Sequence, residues 1–259
     1  MKGQLGFIGT GEIASAIVTG LSSQRARPPR IALSPRSPTV AGRLASLFGN
    51  VTVGTTNQQV VDVSNIVVVA VRPRDVRTVL TQLSFRPSQL VISLVSGLSC
   101  ATLSDLVAPA ARVIRAVPLP SAALKLSPTT IFPNNTDVRR LFSKVGDVYE
   151  ATTEEQFDAV CATTGTIATY FALLRKTALW LEGREVAADQ ANEYVSKLLL
   201  GAITTAVLGD TDLLKLANAH ATKGGLNEFF LNQPATSNLV EHVPELLDTL
   251  LARLKASVI

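Results

Sequence analysis

Cysteine and histidine are scarce in this chain of 259 residues, which contains only Cys100, Cys161, His220 and His242. Neither residue type has the spacing of a metal-binding motif, so we predict no metal site. Two cysteines cannot build the disulfide framework of a small secreted domain, which favours a reducing compartment such as the cytoplasm. The segment Met1–Gln4 precedes a short apolar run that glycine interrupts, and we expect no signal peptide there.

Charged residues are also few, at 17% of the chain against 47% hydrophobic residues. This composition is typical of a well-buried globular protein of one or two domains. The net charge is only +4, and the basic residues are scattered without a basic block or interleaved aromatics, which argues against nucleic acid as a partner. No uncharged apolar run reaches the roughly 20 residues of a membrane span, so we expect no membrane partner.

The most informative segment is residues 5–14, where an apolar strand runs into Gly-x-Gly-x-x-Ala and then into an apolar-periodic helix. Gly9 allows the tight turn out of the strand, and Gly11 lets the backbone approach a pyrophosphate that a Cβ would obstruct. The helix N-terminus offers free N–H groups to the anion. We predict a dinucleotide site; the alternative is a glycine-rich turn that binds nothing. The predicted contacts are Ile8, Gly9, Thr10, Gly11, Glu12 and Ile13.

The end of the second predicted strand, residues 30–34, lacks the Asp or Glu that usually binds the ribose 2′-hydroxyl of NAD. Ser34, Arg36 and Ser37 are present there instead. Hydroxyls and a bidentate guanidinium suit a 2′-phosphate, so the sequence favours NADP (NADPH) over NAD. The alternative is that Arg36 is only a solvated loop charge.

Residues 1–150 alternate apolar strands with helices, which predicts a parallel sheet with right-handed crossovers. The predicted strands after the second are 51–53, 65–70, 90–94 and 112–117, with weaker candidates at 129–132 and 147–149. We expect Asn57 to cap the helix after the third strand. Ligands bind beyond the carboxyl ends of such strands, so Gly9, Ser34 and residues 70–73 should lie along one rim.

Residues 151–259 show helical periodicity instead. The segments 154–181 and 187–208 are apolar on more than one face, and a polar break at 209–212 precedes a helix at 213–220. A short helix follows from about Asn227, and a last amphipathic helix lies within 237–255. Helices that are apolar all round must be buried, so we predict a homodimer through this region; the alternative is a compact monomeric bundle.

These segments resemble, in the same order along most of the chain, the pyrroline-5-carboxylate reductases, the last enzymes of proline synthesis. The matching segments are 7–14, 56–57, 70–73 (Ala-Val-Arg-Pro for the family's Ala-Val-Lys-Pro), 92–98 and 154–160. The resemblance implies an α/β fold with a Rossmann-type NADP-binding domain over 1–150 and an all-helical substrate and dimerisation domain over 151–259. It adds Asn57, Ala70, Val71, Arg72 and Pro73 to the predicted cofactor contacts.

The departures from the family pattern cluster where relatives handle substrate. Leu119 replaces an Asn, Thr166 replaces a Ser, and Leu226 and Asn227 replace a pair of Thr residues. Because a site that hydrogen-bonds its substrate discriminates strongly against ligands lacking the partner group, we predict an altered substrate.

A glycine turn survives in the helical half, and it predicts a carboxylate site. Gly224, Gly225 and Leu226 would present consecutive N–H groups at a helix start, and Lys223 would add charge; the alternative is an ordinary turn. Asn227 lies beside this turn as a candidate catalytic residue.

Two further side chains are candidates for the substrate site. His220 is a candidate proton donor, although a lone His is often structural. Thr166 is a candidate substrate contact, with a hydroxyl bonded within its own helix as the alternative. We expect Tyr170 in the core.

Three functions remain open from the sequence. The first is an NADPH-dependent reductase of a small carboxylate-bearing imine, acting in amino-acid metabolism. The second is a C=O reductase related to the 2-hydroxyacid dehydrogenases, which use a lysine on a helix like that of Lys176. The third is a catalytically silent nucleotide-binding homologue. A protonated iminium accepts hydride without a general acid, and the sequence lacks a convincing one, which favours the first.

Overall fold

The computed structural model describes residues 4–23, 27–209 and 212–256, and the chain divides into two compact units. One unit runs to Ala162 and takes up the chain again from Leu251; the other is Thr163–Leu250. The division therefore falls at the end of the helix Glu154–Thr163, between Ala162 and Thr163, and not at the predicted residue 150. The reason is packing, because Phe157 of that helix is buried in a cluster of the first unit.

An eight-stranded sheet forms the first unit, in the order β3-β2-β1-β4-β5-β6-β7-β8. The strands are β1 Leu5–Ile8, β2 Ile31–Leu33, β3 Val51–Val53, β4 Ile66–Val69, β5 Leu90–Ser93, β6 Arg112–Val117, β7 Thr129–Phe132 and β8 Val148–Glu150. The predicted Rossmann-type α/β fold is confirmed, and β1 to β6 are parallel.

The last two strands correct the expectation of a parallel sheet, because β7 is antiparallel to β6 and β8 is parallel to β7. Between β6 and β7 the chain forms only the short 3₁₀ helix Pro120–Leu124. A parallel neighbour needs a longer crossover, usually through an α-helix, so this short connection reverses the strand direction.

Helices cover both faces of the sheet. They are α1 Glu12–Ser22, α2 Pro38–Leu47, α3 Asn57–Val63, α4 Val76–Leu80, α5 Cys100–Leu106, α6 Thr136–Phe142 and α7 Glu154–Thr163. One buried cluster joins the sheet to α1, α2 and α6, and a second joins it to α3, α4 and α5. Strands covered on both faces read as continuous apolar runs, which explains why their positions were predictable.

The cap of α3 corrects one expectation. Thr56, not Asn57, is the N-cap residue, and its hydroxyl accepts the backbone N–H of Gln59 at 3.1 Å. Asn57 is the first helical residue, and it is half-buried.

The second unit is helical, as predicted. Its helices are α8 Ile167–Glu182, α9 Ala188–Leu208, α10 Leu213–His220, α11 Leu226–Leu231, α12 Pro234–Glu241 and the start of α13 Val243–Ala256. The predicted last helix is thus two helices, and Asp210 and Thr211 of the predicted polar break lie outside the described residues. Helices α8 and α9 pack through Ala178, Ala191 and Val195.

One helical stretch, Glu154–Glu182, is long and apolar enough to cross a membrane by length and composition alone. Only 11% of its apolar window is buried in the structure. The stretch carries Arg175 and Lys176, and Arg175 pairs with Glu182 at 2.6 Å. A single helix of this kind is weak evidence for a membrane span, because an apolar helix that packs against a partner has the same composition.

Candidate functional site

The crevice that suits a ligand lies where the strand order reverses, between β1 and β4. Gly9 follows β1 and Ala70 follows β4, and the Ala70 N–H donates to the carbonyl of Ile8 at 2.8 Å. Ser34 follows the neighbouring β2, and its N–H donates to the carbonyl of Phe7 at 3.0 Å. The fold therefore brings the predicted rim residues of these three strands side by side.

The two glycines of the loop are required for different reasons. Gly9 has φ +96°, and a Cβ there would lie 2.5 Å from the Ala70 carbonyl oxygen, so the fold itself requires glycine. Gly11 has φ −83° and no heavy atom within 4 Å of a Cβ position, so the fold would accept a larger residue. The space beside Gly11 is open to a ligand.

The start of α1 has the features of an anion site. Gly11 is the N-cap residue of this 11-residue helix, and among the described residues no side chain caps its first N–H groups. Free N–H groups at a helix N-terminus favour a negatively charged ligand. A cavity of about 590 Å³ adjoins them, lined by Thr10, Gly11, Glu12, Ser15, Ser37 and Arg43, among others. This geometry fits the pyrophosphate predicted for the segment.

Ser34 supports the loop from below. Its side chain is fully buried, its hydroxyl oxygen accepts the Gly9 N–H at 2.9 Å, and its carbonyl accepts the Thr10 hydroxyl at 3.1 Å. A hydroxyl engaged in this way holds Gly9 in place. The contact of Ser34 with a 2′-phosphate stays a prediction.

Arg36 is exposed at the end of β2 but not simply solvated, because its Nη2 pairs with Asp75 Oδ2 at 2.9 Å. Asp75 comes from the 3₁₀ helix Pro73–Asp75 after β4, and sequence reasoning missed it. The same region includes Arg43 of α2, also missed, which donates to the Ser15 hydroxyl at 3.4 Å. Neither residue has a local sequence signal, since both reach this region from other elements.

The remaining predicted cofactor contacts lie beside the crevice. Ala70 and Val71 are half-buried after β4, and Arg72 and Pro73 are exposed on the turn that follows. Ile13 is half-buried in the first turn of α1. Their contacts with a nucleotide stay predictions.

A buried ionic cluster holds α7 on the sheet, and sequence reasoning missed it. Arg115 of β6 is only 2% exposed and donates to Glu154 at 2.8 Å and to Asp158 at 2.7 Å. Its guanidinium also lies 4.4 Å from the centre of the Phe157 ring, and Glu154 accepts the Cys100 N–H at 2.8 Å. Within the described residues, the Arg115 Nε has no hydrogen-bond partner. The spacing of Glu154 and Asp158, one helical turn apart, was the available signal.

Neither cysteine is suited to act as a thiolate. Burial, followed by the charge of Glu154, raises the pKa of the Cys100 thiol from 9.0 to about 12. Burial also raises the pKa of the Cys161 thiol. Both shifts favour the protonated thiol, which is a poor nucleophile.

The N–H groups of both glycines in the turn before α11 bond to acceptors of the same chain, and the carboxylate site predicted there stays a prediction. The Gly224 N–H donates to Glu228 Oε2 at 2.6 Å, and the Gly225 N–H donates to the Thr222 carbonyl at 2.8 Å. Leu226, at the start of the helix, is 88% exposed, and Lys223 is also exposed. A Glu three residues after the N-cap is a known capping signal, so this bond was readable from sequence.

The other predicted substrate residues are not brought together by a shared contact among the described residues. The Thr166 hydroxyl donates to the Thr163 carbonyl at 2.8 Å, which supports the alternative of a bond within its own helix. His220 is exposed at the end of α10, and Asn227 is exposed in the first turn of α11. Tyr170 is 55% exposed beside a cavity of about 340 Å³, so the expectation that it lies in the core is wrong.

Comparison with known proteins independently supports the resemblance to oxidoreductases. The family model described as NADP oxidoreductase, coenzyme F420-dependent, matches residues 4–97. The pyrroline-5-carboxylate reductase of Pseudomonas aeruginosa is 25% identical over 236 residues, covering 87% of this chain and 86% of the relative. The corresponding protein of Pisum sativum is 28% identical and covers 85% of this chain and 84% of the relative.

Solved structures show the same fold over the whole chain. A pyrroline-5-carboxylate reductase from Coxiella burnetii superposes with a TM-score of 0.84 at 24% identity, covering 100% of both chains. The pyrroline carboxylate reductase of Plasmodium falciparum, solved with NADP bound, gives a TM-score of 0.84 at 17% identity and covers 100% of this chain and 99% of that one. The collinear sequence relatives and the shared fold together show that this chain is similar to pyrroline-5-carboxylate reductases along most of its length.

Proposed function

We propose that this chain is an NADPH-dependent reductase of a small, carboxylate-bearing imine other than pyrroline-5-carboxylate. The observation that carries the proposal is the open, uncapped start of α1 at Gly11, one strand away from Arg36. An anion site beside a guanidinium fork suits a dinucleotide with a 2′-phosphate. The relatives support the reaction class, because they are named for reducing a cyclic imine.

The residues of the chain have distinct roles in holding the cofactor. The N–H groups after Gly11 would bind the pyrophosphate, and Arg36 and Ser37 would bind the 2′-phosphate. Residues 70–73 and Asn57 would lie along the nicotinamide half. When bound, NADPH supplies a hydride to the carbon of the C=N bond, and the nitrogen already carries the proton as an iminium.

Imine reduction suits the residues that are present. Carbonyl reduction needs a proton at the developing alkoxide, whereas an iminium is reduced directly to the amine. His220 and Asn227 are the candidate proton donors, and both are exposed in the described chain. Lys176, which a 2-hydroxyacid enzyme would require, is exposed on α8. A carbonyl reductase and a catalytically silent homologue are the alternative functions, and a panel of substrates distinguishes them.

Carboxylate binding at residues 223–227 would require the loss of a hydrogen bond that this structure contains. A substrate carboxylate would have to replace Glu228 as the acceptor from the Gly224 N–H. Lys223 and the freed N–H groups would then face the ligand. Binding of substrate is thus coupled to release of the Glu228 side chain from the turn.

The function is tested with a panel of small cyclic imino acids and 2-keto acids, each with NADPH, followed at the nicotinamide absorbance. We expect turnover of an imino acid. Gly11→Ala should lose about tenfold or more in NADPH affinity with unchanged thermal stability, because its Cβ meets no protein atom but would obstruct the pyrophosphate. Gly42→Ala is the matched control, since its Cβ position is also free of neighbours.

Two results would reject this function. Turnover of keto acids alone would indicate the carbonyl reductase, and nucleotide binding without turnover of any panel member would indicate the silent homologue. Equal NADPH affinity in Gly11→Ala and Gly42→Ala would place the cofactor elsewhere.

We also propose a homodimer formed through the helical unit. Large apolar side chains of α9 and α11 are exposed, including Leu200 (65%), Val207 (69%) and Phe230 (68%). Exposed apolar area of this extent on a monomer marks an interaction surface. We expect an interface above about 2,000 Å², within the obligate class. Sedimentation at micromolar concentration should show a dimer without detergent, as expected for a cytoplasmic enzyme; a stable monomer would contradict the interface.

A further inference from the structure

We infer that Asp75 is a specificity-determining residue of the nucleotide site, where it narrows the preference for NADPH over NADH that Arg36 creates. The inference rests on the proposed nucleotide site. The sequence at the end of β2 contains no acidic residue. The fold places Asp75, from the 3₁₀ helix after β4, beside Arg36. Arg36 and Asp75 are 39 positions apart, and their side chains meet at 2.9 Å.

Asp75 is held in place by its backbone. Its N–H donates to the Arg72 carbonyl at 2.9 Å, which closes the 3₁₀ turn after β4. The next residue, Val76, is completely buried in the core on one face of the sheet. Asp75 itself is 25% exposed, whereas Arg36 is 53% exposed, so the carboxylate is the more constrained partner of the pair.

The chemistry of the two nucleotides then differs at this carboxylate. The ribose of NADH carries a 2′-hydroxyl, which donates a hydrogen bond to a carboxylate. The 2′-phosphate of NADPH is an anion, which Arg36 attracts and Asp75 repels. The Arg36–Asp75 pair has no net charge, so a phosphate at this position gains less than a lone arginine would provide.

Arg36 bonds to Asp75 through a single nitrogen, Nη2. The guanidinium has further N–H donors, so Arg36 can hold a phosphate while it keeps its bond to Asp75. In the proposed site both groups would therefore lie beside the same ribose, and the charge of the Asp75 carboxylate would determine how strongly Arg36 favours the 2′-phosphate. A residue that merely oriented Arg36 would have the opposite effect on removal, namely weaker NADPH binding.

The test is calorimetric titration of the full chain with NADPH and with NADH. In Asp75→Asn the side chain keeps its size and an acceptor for Arg36 but loses its charge. We expect Asp75→Asn to tighten NADPH binding by about tenfold and to leave NADH binding unchanged or weaker, so that the ratio of the two dissociation constants rises by about tenfold or more. Asp105→Asn, an exposed carboxylate on α5, is the matched control and should change neither constant.

The double variant Arg36→Ala/Asp75→Asn separates the two partners. Its NADPH affinity should fall well below that of Asp75→Asn, because the gain depends on the freed guanidinium. An unchanged ratio of the two dissociation constants in Asp75→Asn, or weaker NADPH binding by that variant, would overturn the inference. If the parent chain still binds a nucleotide, that result leaves the proposed function standing. If the parent chain binds neither nucleotide, both are wrong.

Discussion

Replacing Arg115 with alanine should lower the free energy of unfolding by about 3–5 kcal/mol, the usual cost of removing one partner from a buried ionic pair. Arg115 is 2% exposed and holds Glu154 and Asp158 at once. Without it, two carboxylates remain in a partly buried site with no cation between them, and the Phe157 ring no longer faces a guanidinium. Helix α7 should then detach more readily from the sheet. Urea denaturation followed by circular dichroism measures this decrease in stability.

The matched control is Arg139→Ala. Arg139 pairs with Glu150 at 3.2 Å, but its side chain is 54% exposed, so the pair is worth at most about 1 kcal/mol. A decrease of less than about 1 kcal/mol in both variants would contradict a stabilising role for the Arg115 cluster. A large decrease in Arg115→Ala alone would confirm that burial, not charge pairing as such, makes the cluster important.

The strands could be predicted because burial on both faces leaves continuous apolar runs in the sequence. The bounds of β3, β6 and β7 agree with the prediction residue for residue. The direction of β7 and β8 could not be predicted in this way. An apolar run has no direction, and strand direction depends on whether the preceding connection is long enough to cross the sheet.

The glycine loop could also be predicted, since its conformation, its helix start and its open space are properties of neighbouring residues. The ion pairs could not. Arg36 and Asp75 are separated by 39 positions, and so are Arg115 and Glu154. Such pairs depend on which elements the fold brings together, and neither local segment contains that information.

The bond between Gly224 and Glu228 is a different case, because its signal was local. A Glu at the third position of a helix often bonds back to the N–H groups before it. The predicted carboxylate site assumed a bound ligand, whereas in the structure Glu228 supplies the carboxylate that accepts the Gly224 N–H. The sequence therefore predicted the turn, but we did not predict its hydrogen bond to Glu228.

Pyrroline-5-carboxylate itself should be a poor substrate of this chain. We expect kcat/KM with NADPH to lie well below the range of about 10⁴ M⁻¹s⁻¹ and above that efficient enzymes reach. Leu119 is half-buried and apolar, and the resemblance implies an Asn at its position and two Thr residues at the positions of Leu226 and Asn227. Each substrate hydrogen bond that a closed site fails to make costs about 1–3 kcal/mol, so the loss of a polar side chain at both Leu119 and Leu226 lowers the rate by orders of magnitude.

The triple variant Leu119→Asn/Leu226→Thr/Asn227→Thr tests the cause. Restoring these residues should raise kcat/KM on pyrroline-5-carboxylate by about tenfold or more, because positions 119 and 226 regain a donor and an acceptor and position 227 regains a hydroxyl. Leu126→Asn, an apolar residue that is 70% exposed on the sheet unit, controls for a general effect of an added amide and should leave the rate unchanged. A parent kcat/KM of about 10⁴ M⁻¹s⁻¹ or higher would show that the chain is a divergent proline-synthesis enzyme, since the replaced polar groups would then be dispensable for its substrate.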